Sequence, residues 1–378
     1  MNTGMCPHYI EAGVNLFHGQ FTSPQLANLS RIISNIIDNH AILACEQADD
    51  LGNQMLSTNI RTVRYIEWCQ IQTNNNGLVF SHTTLNKYLP VILYRTSDLT
   101  PEEMCIYLGR YLQTVRTHAL CLPFPLREEC FRYTSKRVLS VLESTAASCC
   151  IHNGYGVPRN LLSLFESSLD TDVASSRLKL ASFLVCHNEL ERAADVLNDV
   201  ERRYDDSVQD VWECGRMDPF DSEHHKPLYT TSVDDNDDVL LTNNTALCVR
   251  FFRHEVFCAP PSLRFEMVRG IGEDVHNRDI EEPFWMNCAV VDALPYLYYL
   301  QYLTFGGLRQ RRREVQAFNN LKNCFLHNPR SRLYHLETSA NLFGHCLEIE
   351  NQPEIAFLHY STCTRECNPL RLSARGGG

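Results

Sequence analysis

Apolar positions recur at intervals of three and four along most of this chain, and strict alternation is rare. That pattern predicts helices almost throughout. Residues 24–47 read as one helix, with Leu26, Leu29, Ile32, Ile33, Ile36 and Ile37 on one face. A second helix candidate covers 51–71 and breaks at Asn74-Asn75-Asn76-Gly77. The apolar piece 85–94 fits a strand or a helix equally. Thr100-Pro101-Glu102-Glu103 reads as a helix start. Thr100 and Glu103 can cap each other's free amides, and Pro101 sits where no helical hydrogen bond is lost. The helix it opens should reach about His118. A turn follows at 122–125, then a long helix over 126–150, ended by Asn153-Gly154-Tyr155-Gly156.

A helix pair is expected at 174–204. Leu178, Ala181, Leu184 and Val185 share a face of its first helix; Leu190, Ala193, Ala194, Leu197 and Val200 share a face of its second. Asn188 falls at the tight turn, where a left-handed residue is needed and Asn is tolerated. Helical reading resumes over 246–257, stops at Pro260-Pro261 and continues briefly over 263–268. Pro283 opens an aromatic stretch, 284–305, with Tyr296, Tyr298, Tyr299, Tyr302 and Phe305. Further helices are expected at 309–326, 332–349 and 353–366, and the Gly-rich tail 371–378 should fray. The organisation is then an N-terminal helical region, 1–122; a helical region with the first pair, 123–204; an acidic loop or linker, 205–243; and a C-terminal helical region, 244–378.

The pairs at 174–204 and 336–369 can be laid over each other. Ala181 falls on Gly344, Leu184 on Leu347, Asn188 on Asn351, Ala193 on Ala356, Leu197 on Tyr360 and Val200 on Cys363. A third, half-matching unit ends at Pro329, with Ala317, Leu321 and Cys324 at the same mutual spacing. Small residues stand where helices cross, and Gly344 is expected to face Ala356. This pattern resembles the tetratricopeptide repeat, a helix pair of about 34 residues, without its signature tryptophan.

A broader order of features can also be read. A long Cys-rich helix, a repeat-like pair and an acidic insert precede CVRFFRHEVFCAPPSLRFEM and a final NLFGHCLEIENQPEIAFLHYS. Over about 100–370 this resembles the helical C-terminal portion of invertebrate proteins of the Mab-twenty-one (cyclic GMP-AMP synthase-like) superfamily. The resemblance implies a helical appendage with an innate-immune or developmental role. The catalytic lobe of that family needs a Gly-Gly or Gly-Ser turn followed by acids alternating along a strand, to hold two metal ions. Here Gly306-Gly307 leads into Leu308-Arg309-Gln310-Arg311-Arg312-Arg313. The zinc site of the family also lacks its pattern, with Glu143 where a His would precede Cys149-Cys150.

Composition narrows the classes. The 378 residues are 44% hydrophobic and 21% charged, ample for a core. No run approaches the roughly 18–20 apolar residues of a membrane span, and no secretory or myristoylation signal is read at the start. Net charge is −11, of which the segment 205–238, with eleven acids and two bases, carries −9. Nucleic acid is therefore disfavoured as a partner. Seventeen cysteines, scattered at irregular gaps within helical patterns, suggest reduced buried thiols and a cytosolic setting, with the nucleus as the alternative.

Candidate chemistry is sparse. Cys324 with His327, Cys363 with Cys367, and the neighbours His345, Cys346 and His359 offer ligand types, but no C-x-x-C pair occurs. The cysteines read as packing residues, and no metal or other cofactor is expected. No phosphate-binding glycine pattern and no nucleophilic-cysteine signature is present. Arg309, Arg311, Arg312 and Arg313 read as the solvated face of a helix, against a phosphate-binding or nuclear-import patch. The tyrosines of 296–302 read as core, since no basic residues interleave with them.

The expectation is an all-α fold: a right-handed stack of antiparallel helix pairs behind an irregular N-terminal bundle. The residues expected to carry repeat packing are Ala181, Leu184, Ala193, Leu197, Ala317, Leu321, Gly344, Leu347, Ala356 and Tyr360. Such stacks leave a concave groove for a protein or peptide. A non-catalytic interaction scaffold is the expected function. The alternatives are an enzyme or nucleotide sensor in the first 120 residues, and the appendage of a nucleotidyltransferase-like protein.

Overall fold

The computed structural model describes residues 99, 103–104, 107–109, 111–112, 124–154, 159–205, 207–211, 245–268, 288–326, 333 and 335–366. The helix readings at 24–47 and 51–71, the 85–94 piece, most of the acidic segment and the tail lie outside these residues. The described part is mostly helical. Residues at 103–104, 107–109 and 111–112 are helical, and Met104, Leu108 and Leu112 lie in the core.

Helix α1 (Phe124–His152) is the longest among the described residues. It is followed by α2 (Arg159–Ser168) and a 3-10 turn (Leu169–Thr171), then by the first hairpin, α3 (Ser175–Cys186) and α4 (Leu190–Arg203). From Gln209 on, the described chain forms a run of short strands and 3-10 turns. The second hairpin is α6 (Ala293–Gly307) and α7 (Arg311–Leu326), and the third is α8 (Leu336–Ile349) and α9 (Pro353–Glu366). Within each hairpin the two helices pack on each other, α6 packs on α3 and α4, and α8 packs on α6.

The stretch expected as a helix at 246–257 is not one. Gln209–Val211 (β1) pairs in parallel with Thr245–Leu247 (β2), and Val249–Phe252 (β3) pairs antiparallel with Cys288–Val291 (β4). Arg253–Cys258 is a 3-10 helix, followed by the short α5 (Pro261–Arg264) and a second 3-10 turn, Phe265–Val268. The reason is burial on both faces. Every residue of β2, β3 and β4 is buried, so the apolar run carries no period, and a short run without period cannot be assigned from sequence. β1 also places part of the expected 205–243 loop in a sheet.

One turn is built three times. Asn188, Arg309 and Asn351 have φ of 63°, 58° and 58°, the left-handed conformation that closes a helix. Around Asn188, the amides of His187, Asn188 and Glu189 donate to the carbonyls of Phe183, Val185 and Leu184 at 2.9, 3.0 and 2.8 Å. Around Arg309, those of Leu308, Arg309 and Gln310 donate to Thr304, Gly306 and Phe305 at 3.0, 3.0 and 2.8 Å. Around Asn351, those of Glu350, Asn351 and Gln352 donate to Cys346, Glu348 and Leu347 at 3.0, 3.0 and 2.8 Å. The partners stand at the same offsets each time, so the turn residue fixes a common register.

Candidate interaction surface

Counted from the turn, Ala193, Glu314 and Ala356 are equivalent, as are Ala181, Tyr302 and Gly344 before it and Leu197, Phe318 and Tyr360 after it. Volume is traded across the crossing. A Cβ added to Gly344 would run into the Tyr360 ring, so the smallest residue faces an aromatic one. Ala356, expected opposite Gly344, is fully buried on α9, the helix that carries Tyr360. In the second hairpin two aromatics meet, Tyr302 and Phe318, with centroids 5.9 Å apart. Ala317 and Leu321 are buried, yet they lie three residues beyond the positions of Ala193 and Leu197 in the turn-based register. Ala181, Leu184, Ala193, Leu197, Gly344, Leu347 and Ala356 are all buried, and Tyr360 is half-buried. Among them, Gly344 and Tyr360 meet within the third hairpin.

In a stack of hairpins the first helices, α3, α6 and α8, would form the wall of a concave groove. It is covered by the chain itself. Phe251 of β3 meets Tyr296 of α6 edge-on at 6.0 Å. The Ser262 and Tyr299 hydroxyls lie 2.6 Å apart, and Tyr299 also reaches Nδ1 of His345 at 3.1 Å. The Asn341 amide of α8 donates to Glu266 at 2.8 Å. Helices pack on one another through apolar faces, and here the strands and 3-10 turns between the first and second hairpins supply the covering layer.

The same layer is locked by buried charge. Lys179 donates to Oε1 of Glu255 at 2.6 Å, and Glu255 accepts from the Phe252 amide at 2.7 Å. Burial lowers the Lys179 pKa and raises that of Glu255, while each partner's charge pulls the other back. Arg177 donates to the carbonyls of Leu169 and Asp172 and to Asp170 and Asp199. Asp172 accepts from the amides of Ser175 and Leu247, both at 2.9 Å, so one carboxylate caps α3 and holds β2. Every one of these contacts joins two structural elements, which is the geometry of an anchor.

The cysteines sit in the same interior. Burial pushes the Cys150 and Cys186 thiols up to about 11, and those of Cys258 and Cys346 upward as well. They stay protonated at neutral pH, a poor state for a nucleophile or a metal ligand. Among the described residues no three His, Cys, Asp or Glu side chains converge to hold a metal ion. Among them, too, no helix is long and apolar enough to cross a membrane.

The outward surfaces are the more distinctive ones. On α9, Phe357 and Leu358 are 60% and 61% exposed, and Ile355 is 46% exposed. Ile349, at the end of α8, is also exposed. In sequence, Ala356 reads as an inward packing residue, and its apolar neighbours carry no assigned role. A helical projection carries a signal here, since a helix whose apolar residues spread beyond one stripe has more than one apolar face. The chain matches no protein-family model, no curated protein and no solved structure.

Proposed function

We propose that the chain is a non-catalytic interaction scaffold built on a tetratricopeptide-like stack of three hairpins, working in the cytosol or nucleus. One observation carries the reading. The last hairpin repeats the turn of the other two, yet its outer helix leaves Ile355, Phe357 and Leu358 in water. Large apolar side chains grouped on one outer helix mark a contact surface. The partner is a protein that buries these three side chains on the outer end of the stack. The inner wall does not serve it, because the chain's own strands and 3-10 turns lie there.

A photo-reactive residue at position 358 tests this in the native cell. The expected result is one dominant cross-linked polypeptide from position 358 and none from position 195 on exposed α4. Equal cross-linking from both positions, or none from 358, would overturn the scaffold reading.

A further inference from the structure

The arginine run of the second hairpin separates into two kinds of residue. Arg311 makes a two-pronged contact with Glu350, both bonds 2.9 Å, and lies 3.2 Å from Glu314. Arg313 stacks on the Phe305 ring at 3.7 Å and donates to Asn198 of α4. These two hold hairpins together. Arg309 and Arg312 are exposed and make no ion pair among the described residues, and so is and does Lys322 two to three turns further along.

Arg312, Val315, Gln316, Asn319, Lys322 and Asn323 are all exposed and share one face of α7. The face is cationic and amide-bearing over roughly 16 Å of helix. No acid stands on it, since the one carboxylate of α7, Glu314, is turned toward Gly306 and Arg311. Helix α4 holds the same place in the first hairpin and is built differently. Its Arg192 pairs with Glu189, and its Arg202 and Arg203 pair with Asp199. Cations at the start of a helix also oppose its dipole, and Arg309 holds a left-handed backbone where the other two hairpins place Asn. Arg311 and Arg313 offset this through their contacts between hairpins; Arg309 and Arg312 make no ion pair among the described residues that would.

We infer that the exposed face of α7, from Arg312 to Asn323, with Arg309 in the turn before it, docks an acidic peptide segment of a partner protein. The inference rests on the scaffold reading and assigns a second surface, separate from α9. The match is one of charge and length. A segment of about five extended residues spans the distance from Arg312 to Lys322 at 3.3 Å per residue. Carboxylates at its two ends meet the guanidinium and ammonium groups. The Gln316 and Asn319 amides lie between them to meet its backbone, and Val315, 39% exposed, offers a small apolar contact.

The test uses the full chain and a labelled nine-residue peptide, Ser-Val-Asp-Asp-Asn-Asp-Asp-Val-Leu, the sequence of residues 232–240, followed by fluorescence anisotropy. The peptide should bind, and binding should weaken as salt rises from about 50 to about 300 mM. The triple variant R309N/R312Q/K322Q should weaken it about tenfold or more without lowering the melting temperature, because Asn suits the turn. The variant F357D/L358D should leave peptide binding intact, so a failure of the α9 surface is read separately. Absence of binding, equal binding by the triple variant, or equal binding of the peptide with its four aspartates changed to asparagine would overturn the assignment. So would a single-stranded RNA that binds where the peptide does not.

Discussion

Hairpins α3–α4 and α8–α9 share a turn residue, three turn hydrogen bonds and an alanine at the same inward position, but they differ in what surrounds them. Helix α3 is buried from Ser175 to Leu184 without a break. It is wrapped by α1, α4, α6, β3 and two 3-10 turns. Its polar residues, Ser175, Ser176, Arg177, Lys179 and Ser182, are therefore inside, and each has a partner. Helix α9 packs on α8 alone among the elements it contacts closely. Of residues 353–358 only Ala356 is buried, and Phe357 and Leu358 face water. The comparison teaches that a hairpin pattern specifies the contact between its own two helices. What meets the remaining faces is decided by chain far away in sequence.

The sharpest way to break this comparison is to remove a charge from inside α3. Lys179→Met leaves Glu255 buried without its partner and should cost about 3–5 kcal/mol in denaturant unfolding. Adding Glu255→Leu should recover much of that loss. Additive effects of the two changes would show that the pair is not coupled and that the first hairpin is held some other way.

A second experiment compares the crossings. Gly344→Leu drives a side chain into the Tyr360 ring and should cost about 1–3 kcal/mol, read as a lower melting temperature. Joining it to Tyr360→Ala should relieve part of the strain. If Gly344→Leu melts like the parent chain, the turn-based register of the third hairpin fails.

A third concerns the odd turn. Arg309→Gly should raise stability by about 1 kcal/mol, since a residue with a Cβ strains in the left-handed conformation. Asn351→Gly should change it less, because Asn tolerates that conformation. Equal shifts from both would mean that Arg309 carries no strain.

The smallest effect is expected at the open end. Phe357→Ser and Leu358→Ser should each move stability by no more than about 0.5 kcal/mol, as both side chains are already in water. A large loss from either would place another part of the chain against α9.

Much of this organisation could be read from sequence. The 3.6-residue period located α1, the first and third hairpins and α7 to within a few residues, because each of these helices keeps an apolar stripe; α6 lay inside the aromatic stretch 284–305, whose first residues form β4 instead. Asn188 and Asn351 were readable as turn residues, since Asn is the common non-glycine choice there. Arg309 was not, because nothing in arginine's chemistry announces a left-handed backbone, and so Ala317 was aligned by its spacing to Leu321 and not by its turn. The strands β2, β3 and β4 were hidden by burial on both faces. Lys179 and Glu255 were hidden by distance along the chain: each looks like an ordinary surface charge until the 3-10 turn carries one to the other. The outward surfaces of α7 and α9 follow from which neighbours a helix has, and periodicity within one helix does not contain that information.

The parallel pairing of β1 with β2 has a consequence for how this protein can change length. Gln209 lies beside Thr245 and Val211 beside Leu247, and Asp172 clamps the second strand from the α3 side. Val211 and Thr245, the described residues on either side of 212–244, lie roughly 8 Å apart by strand geometry. Closing a loop between fixed ends grows costlier only with the logarithm of its length, about 0.6 kcal/mol per doubling. With both strand ends held by their pairing and by Asp172, residues added between Val211 and Thr245 should therefore cost little and leave the three hairpins in register.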